Sequence, residues 1–161
     1  MSGTEQLDQD IQDVHERFFA ALASFDDDLL EMQPMCGVWS PRDVAGHLAD
    51  WNNELMDALD RILAGQQPNR PIQDIDNFNQ VQAALRGIQR WKDTSADLRE
   101  SVERVHETLR RLDDGDLERL GPLPWGTVDR LGGFFRRIIR HSREHAEEAE
   151  DFRLRMLGVR D

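Results

Sequence analysis

Two histidines four residues apart, His141 and His145, are the side chains of this 161-residue chain best placed to do chemistry. They lie in the stretch FFRRIIRHSREHAEEAEDF, Phe134 to Phe152. At about 100° per residue of an α-helix, Phe134, Ile138, His145, Glu148 and Phe152 all fall within about 60° of His141. That shared face is apolar at both ends and polar in the middle, so it points into a core, where its three polar groups must find partners. Imidazoles at i and i+4 aim their ring nitrogens at one point, which makes H-x-x-x-H a metal signal. The pair alone is common in helices, and a third ligand has to come from elsewhere in the chain.

The elements that must position these residues are helical. Leu7, Ile11, Val14, Phe18, Leu22 and Phe25 repeat at helical spacing behind Thr4 as an N-cap, with His15 on the shoulder of the stripe as a boundary residue. Asp26-Asp27-Asp28 and LLEMQPMCG form a connection with one short helical turn. Ser40 as N-cap, Pro41 as first helical residue and Asp43 as the acidic third open a second helix. Its stripe is Val44, Leu48, Trp51, Leu55 and Ile62, and it runs to about Ala64 before Gly65. His47 sits on the edge of that stripe, where a histidine is either satisfied by a backbone carbonyl or free to ligate. Residues 65–71, GQQPNRP, read as a loop and as the long crossover. Ile75, Phe78, Val81, Leu85 and Ile88, and then Leu98, Val102, Val105, Leu109 and Leu112 behind a cap at Thr94 to Asp97, predict a broken third helix. Glu103-x-x-His106 imitates half of a di-iron motif, but Glu103 points away from the stripe and no second copy exists. Residues 113–126 are turn-rich, and Thr127 opens a last helix of about 30 residues to Gly158.

No sustained alternation competes, so the fold class is all-α, a four-helix bundle forming one domain over residues 1–161. Bundle sites are built between facing helices, which brings His47 toward the His141 and His145 pair. With 20 Lys and Arg against 32 Asp and Glu, the net charge of -12 repels phosphate backbones and anionic lipid, so no nucleic acid and no membrane is expected as a partner. No apolar run is long enough to span a bilayer and no leader pattern opens the sequence. A single cysteine, Cys36, leaves no internal disulfide and fits a reducing, cytoplasmic location.

Trp39-Ser40-Pro41-Arg42-Asp43-Val44-Ala45-Gly46-His47-Leu48-Ala49 resembles the W-S-x-x-(D/E)-x-x-x-H-L opening of the second helix in DinB-like proteins. Trp125-Gly126 followed by His141-x-x-x-His145 resembles the last helix of the same superfamily. It includes mycothiol-dependent maleylpyruvate isomerases, bacillithiol transferases and ClbS/DfsB proteins. The resemblance implies an up-down-down-up bundle with a long crossover between helices two and three, a divalent metal held by His47, His141 and His145, and a homodimer. Three imidazoles favour zinc, nickel or iron and leave coordination positions open. Glu148 is then a fourth ligand, a partner that orients a ligand, or the mate of an arginine.

Trp39, Trp51 and Trp125 are candidates for the pocket wall or for plain packing. Arg137, one turn before His141, receives an anionic substrate or pairs with an acid. Cys36 reads as a small buried residue, since no Cys-His spacing supports a nucleophile. Phe19, outside the main stripe, offers a second packing face for a dimer. Two functions fit: a metal-dependent transferase, isomerase or hydrolase in which a low-molecular-weight thiol or water attacks a small electrophilic molecule, or a non-catalytic metal-dependent small-molecule binding or stress-response protein.

Overall fold

Two of the four long helices start where their local sequence supplies the missing backbone acceptors. The structure is a computed structural model that describes residues 1–158; the last three residues of the expected 1–161 domain lie outside it. Among the described residues six α-helices occur: α1 (Gly3–Leu22), α2 (Asp27–Met32), α3 (Pro41–Leu63), α4 (Ile75–Arg86), α5 (Trp91–Arg110) and α6 (Leu131–Met156). Ser40 and Asp43 close the expected capping box at α3. At α1 the cap is Ser2 rather than Thr4: Ser2 Oγ accepts from Glu5 N at 3.1 Å and Ser2 N donates to the Glu5 carboxylate at 2.9 Å. The box needs an acid or amide three residues on, which Ser2 has in Glu5 and Thr4, facing Leu7, lacks.

The broken third helix resolves into two. Gly87, with φ of 53°, ends α4 in a conformation that disfavours side chains, and α5 begins at Trp91 instead of near Thr94. The Trp91 N–H donates to the Glu31 carboxylate of α2 at 2.9 Å, so this helix is capped from another element. Thr94 is buried inside α5, its hydroxyl donating to Gln89 Oε1 at 2.8 Å. The apolar residues of α4 do not join the core: Val81 and Leu85 are exposed, and no residue of the helix is buried. Phe78 alone leans on Trp51, ring centroids 4.9 Å apart.

Residues 120–130 hold a small antiparallel hairpin, β1 (Leu120–Pro122) with β2 (Val128–Arg130), three residues each and too short to show a period. It delays α6, which starts at Leu131 and not at Thr127; the Thr127 carbonyl accepts from Leu123 N at 2.8 Å within the turn.

α1, α3, α5 and α6 form an up-down-down-up bundle. Asn52 of α3 meets Ser101 of α5, and further along both helices Asp60 meets Arg104, so α3 and α5 run parallel, joined by the crossover that carries α4. His15 meets Ser142 and Arg17 meets Glu150, so α1 and α6 are parallel too. Two apolar clusters fill the interior, one around Ile11, Met56, Leu109 and Phe134, the other around Phe18, Leu48, Leu98 and Phe152. A polar layer separates them. In it Asn52 Nδ2 donates to Ser101 Oγ at 3.1 Å and Ser142 Oγ donates to His15 Nε2 at 3.1 Å. Every buried side-chain nitrogen and oxygen of the described residues has a partner, so the layer is satisfied throughout. Phe19 is not a free flank: it lies under the Arg99 guanidinium, 3.7 Å from its ring centroid.

Candidate metal centre

At the level of that layer, α3 and α6 bring together the three histidines that the sequence singled out. His47 Nε2 lies 2.9 Å from His141 Nε2, and His141 Nε2 lies 3.2 Å from His145 Nε2. Nitrogens at about 2.0–2.1 Å from one ion stand about 3.0 Å apart in an octahedral corner and about 3.4 Å apart in a tetrahedron. The observed spacings fall in and beside that interval.

Proton counting points the same way. His145 Nδ1–H donates to Glu148 Oε2 at 2.8 Å, which leaves the His145 Nε2 lone pair facing the other two rings. A single ring proton bridges only one of the two Nε2 contacts and leaves the other as lone pair against lone pair. A cation satisfies all three nitrogens at once. Burial pushes the imidazole of His47 down to about 4, and burial together with the facing His47 and His145 rings pushes His141 down to about 3. Both rings are therefore neutral at neutral pH, each with one nitrogen that carries a lone pair and no proton. Glu148 bonds the back of His145 and so orients that ring.

Two of the three histidines, His47 and His141, border a cavity of about 790 Å³. His47, Trp51 and Leu55 of α3 form one wall, and Arg137, Arg140, His141 and Glu144 of α6 the other. Ile72, Gln73, Ile75 and Asn79 roof it, and Trp125 of the hairpin turn closes one end. Trp51 Nε1 donates to Asn79 Oδ1 at 2.8 Å, tying the roof to the wall, and Trp51 meets Trp125 edge to face at 5.9 Å. Trp39 does not line this cavity. It packs on His47, ring centroids 4.9 Å apart.

Arg137 is held by both of its neighbours, donating from Nε to Asp129 at 3.3 Å and lying 5.3 Å over the Trp125 ring. It pairs with an acid and still lines the cavity. Two positions escaped the sequence reading. Arg140 and Glu144 sit on the wall beside His141 but carry no motif. Cys36 stands with its sulfur within 4.8 Å of donor atoms of His145 and Glu148, an approach made by the turn at 36–39 that spacing along the chain does not reveal. Burial, with Glu148 beside it, pushes that thiol up to about 11, so it stays protonated.

His15 and His106 lie outside the centre. His15 Nδ1–H donates to the Ile11 carbonyl at 2.7 Å, and His106 Nδ1 meets Asp8 at 2.6 Å.

A bundle that gathers three imidazoles between its second and last long helices defines a class, the helical proteins with a candidate three-histidine centre. Residues 10–149 match the family model of the DinB superfamily, and the chain belongs to that superfamily. Three solved structures show the same fold. YfiT from Bacillus subtilis, described as a probable metal-dependent hydrolase with an unusual four-helix bundle topology, is 21% identical with a TM-score of 0.69 over 98% of this chain and 89% of that one. The colibactin self-resistance protein ClbS, solved in complex with double-stranded DNA, is 13% identical with a TM-score of 0.78 over 92% and 93%. A mycothiol-dependent maleylpyruvate isomerase is 12% identical with a TM-score of 0.76; the match covers 90% of this chain and 60% of that protein. No curated protein matches the sequence.

Proposed function

We propose that the chain holds one divalent zinc, nickel or iron ion on His47, His141 and His145 and uses it on a small electrophilic molecule, as a thiol transferase, isomerase or hydrolase. The observation that supports this reading is the convergence of three Nε2 atoms, two of them on rings that border a cavity of about 790 Å³, a volume in the range of small-molecule sites. When bound, the ion lowers the pKa of a thiol or water at its open position and supplies the nucleophile at neutral pH. The chain's own residues do the rest. Glu148 fixes the tautomer of His145, Trp51 and Trp125 give an apolar surface for the electrophile, and Asn79 holds the roof against Trp51. The net charge of -12 supports a small-molecule partner over a polyanion.

The test has two stages. Elemental analysis of the purified protein should find about one transition-metal ion per chain. The same protein, offered mycothiol, bacillithiol, glutathione or coenzyme A with a panel of electrophiles, should form conjugates or hydrolysis products. Metal without turnover on any of them would leave the non-catalytic binding protein as the reading.

A further inference from the structure

Arg140 and Glu144 are one helical turn apart on α6, both exposed on the cavity wall on either side of His141. Among the described residues neither makes an ion pair or side-chain hydrogen bond, although the chain has 32 acids to offer an arginine. Nor are they well arranged to pair with each other, since an acid four residues after a base is the weaker of the two orders on a helix. Arg137, by contrast, is already engaged by Asp129 and Trp125.

Opposite charges about 5–6 Å apart at their Cβ atoms suit a ligand that carries both signs on one carbon. A plain carboxylate at Arg140 would meet the Glu144 charge, and a plain amine at Glu144 would meet the Arg140 charge. A carboxylate and an ammonium together satisfy both side chains with charge-assisted hydrogen bonds. We propose that Arg140 and Glu144 form a subsite for an α-amino-acid headgroup, so that the thiol taken up beside the triad is a zwitterionic aminothiol. This deepens the thiol reading above and rests on it. The guanidinium takes the carboxylate, the Glu144 carboxylate takes the ammonium, and the sulfur is left toward the three imidazoles.

The experiment is a titration of the zinc-loaded full chain, followed by quenching of indole fluorescence, since Trp51 and Trp125 line the cavity. The probes are L-cysteine, cysteamine, which lacks the carboxylate, 3-mercaptopropionate, which lacks the amine, and S-methyl-L-cysteine, which keeps the headgroup and blocks the sulfur. L-cysteine should bind about tenfold tighter than each of the other three. Arg140→Gln should erase its advantage over cysteamine, and Glu144→Gln its advantage over 3-mercaptopropionate, with zinc content unchanged in both. Protein that takes up no zinc overturns the metal reading beneath the proposal. Zinc-loaded protein that binds the three thiols equally, or loses affinity for all of them alike in Arg140→Gln, overturns the headgroup site alone. S-methyl-L-cysteine binding as tightly as L-cysteine overturns its assignment to the thiol.

Discussion

Gly46 stands directly before His47 in the middle of a helix, where glycine costs about 1 kcal/mol relative to alanine. Gly46→Ala should therefore stabilise the protein unless something occupies the space of the methyl group, and something does. A Cβ there would lie 2.5 Å from Arg86 Cδ, 2.8 Å from Arg86 Nε and 3.3 Å from Thr94 Cγ2. Arg86 cannot withdraw freely: it donates to both Asp50 oxygens at 3.2 and 2.7 Å, to Asp97 at 2.9 Å and to Gln89 at 2.9 Å. The Asp50 pair is the best shielded, with side chains 21% and 18% exposed, and disturbing its two charged hydrogen bonds costs about 2–3 kcal/mol. Asp97 is more exposed and adds little. The loss exceeds the propensity gain, so Gly46→Ala should destabilise by about 1–2 kcal/mol, a fall in melting temperature of about 2–8 °C for a chain of this size. Urea and thermal unfolding of the wild type, both single variants and the Gly46→Ala/Arg86→Ala double variant check this. Once Arg86 is gone the alanine should stabilise by about the 1 kcal/mol of helix propensity, giving a coupling of about 2–3 kcal/mol. A single variant as stable as the wild type, or purely additive effects, would refute the reasoning.

Replacing His47 or His145 by alanine should strip the metal, whereas His106→Ala, facing Asp8, should leave it bound; elemental analysis decides. Glu148→Gln should weaken metal affinity about 10- to 100-fold through the loosened His145 ring, read by competition with a chelating dye. Chelation at pH 7.5 should lower the melting temperature without unfolding the bundle, by the equivalent of about 2.7 kcal/mol when free metal is one hundred times its dissociation constant. That shift should persist at pH 5.5 and shrink only as the pH falls toward 4, where protons begin to compete for the His47 imidazole. His15, pushed down to about 4 by burial, gives the metal-free protein its own pH dependence. The unfolded chain takes up its proton near pH 6.5 and the folded one only near pH 4, so the contribution of His15 is complete above pH 6.5 and falls by about 3 kcal/mol as pH drops through that window. His15→Gln should make the acid limb of a urea-derived stability profile shallower by about that amount, leaving the share of His47 and His141, which burial also holds below 6.5.

The bundle and the triad were legible because they rest on local signals. The Ser40, Pro41 and Asp43 box sets where α3 starts, and the 3.6-residue period sets which way His47, His141 and His145 point. What stayed hidden depends on chain segments distant in sequence. α5 is capped by Glu31 of α2, so no cap residue marks its start at Trp91. α4 has the period of a core helix, yet α3 and α5 already close the core beneath it, and its stripe stays outside. Cys36 reaches Glu148 through a turn whose direction no periodicity encodes. Arg140 and Glu144 look like any surface pair until the roof at Ile72 to Asn79 makes their face the wall of a cavity.

That roof has a consequence for how such a molecule diversifies. α4 buries none of its residues, and its main fastenings are polar ones, Arg86 to Asp50 and Asn79 to Trp51. Arg86 and Asn79 apart, substitutions along it leave the apolar interior undisturbed, and surface changes of that kind alter stability by only about 0.5 kcal/mol. The residues that meet a ligand from above are thus separable from those that keep the chain folded and those that gather the imidazoles. New specificities can be selected on α4 and the loop before it without first acquiring compensating stability, which makes this segment the natural place to randomise when redirecting the protein toward another small molecule.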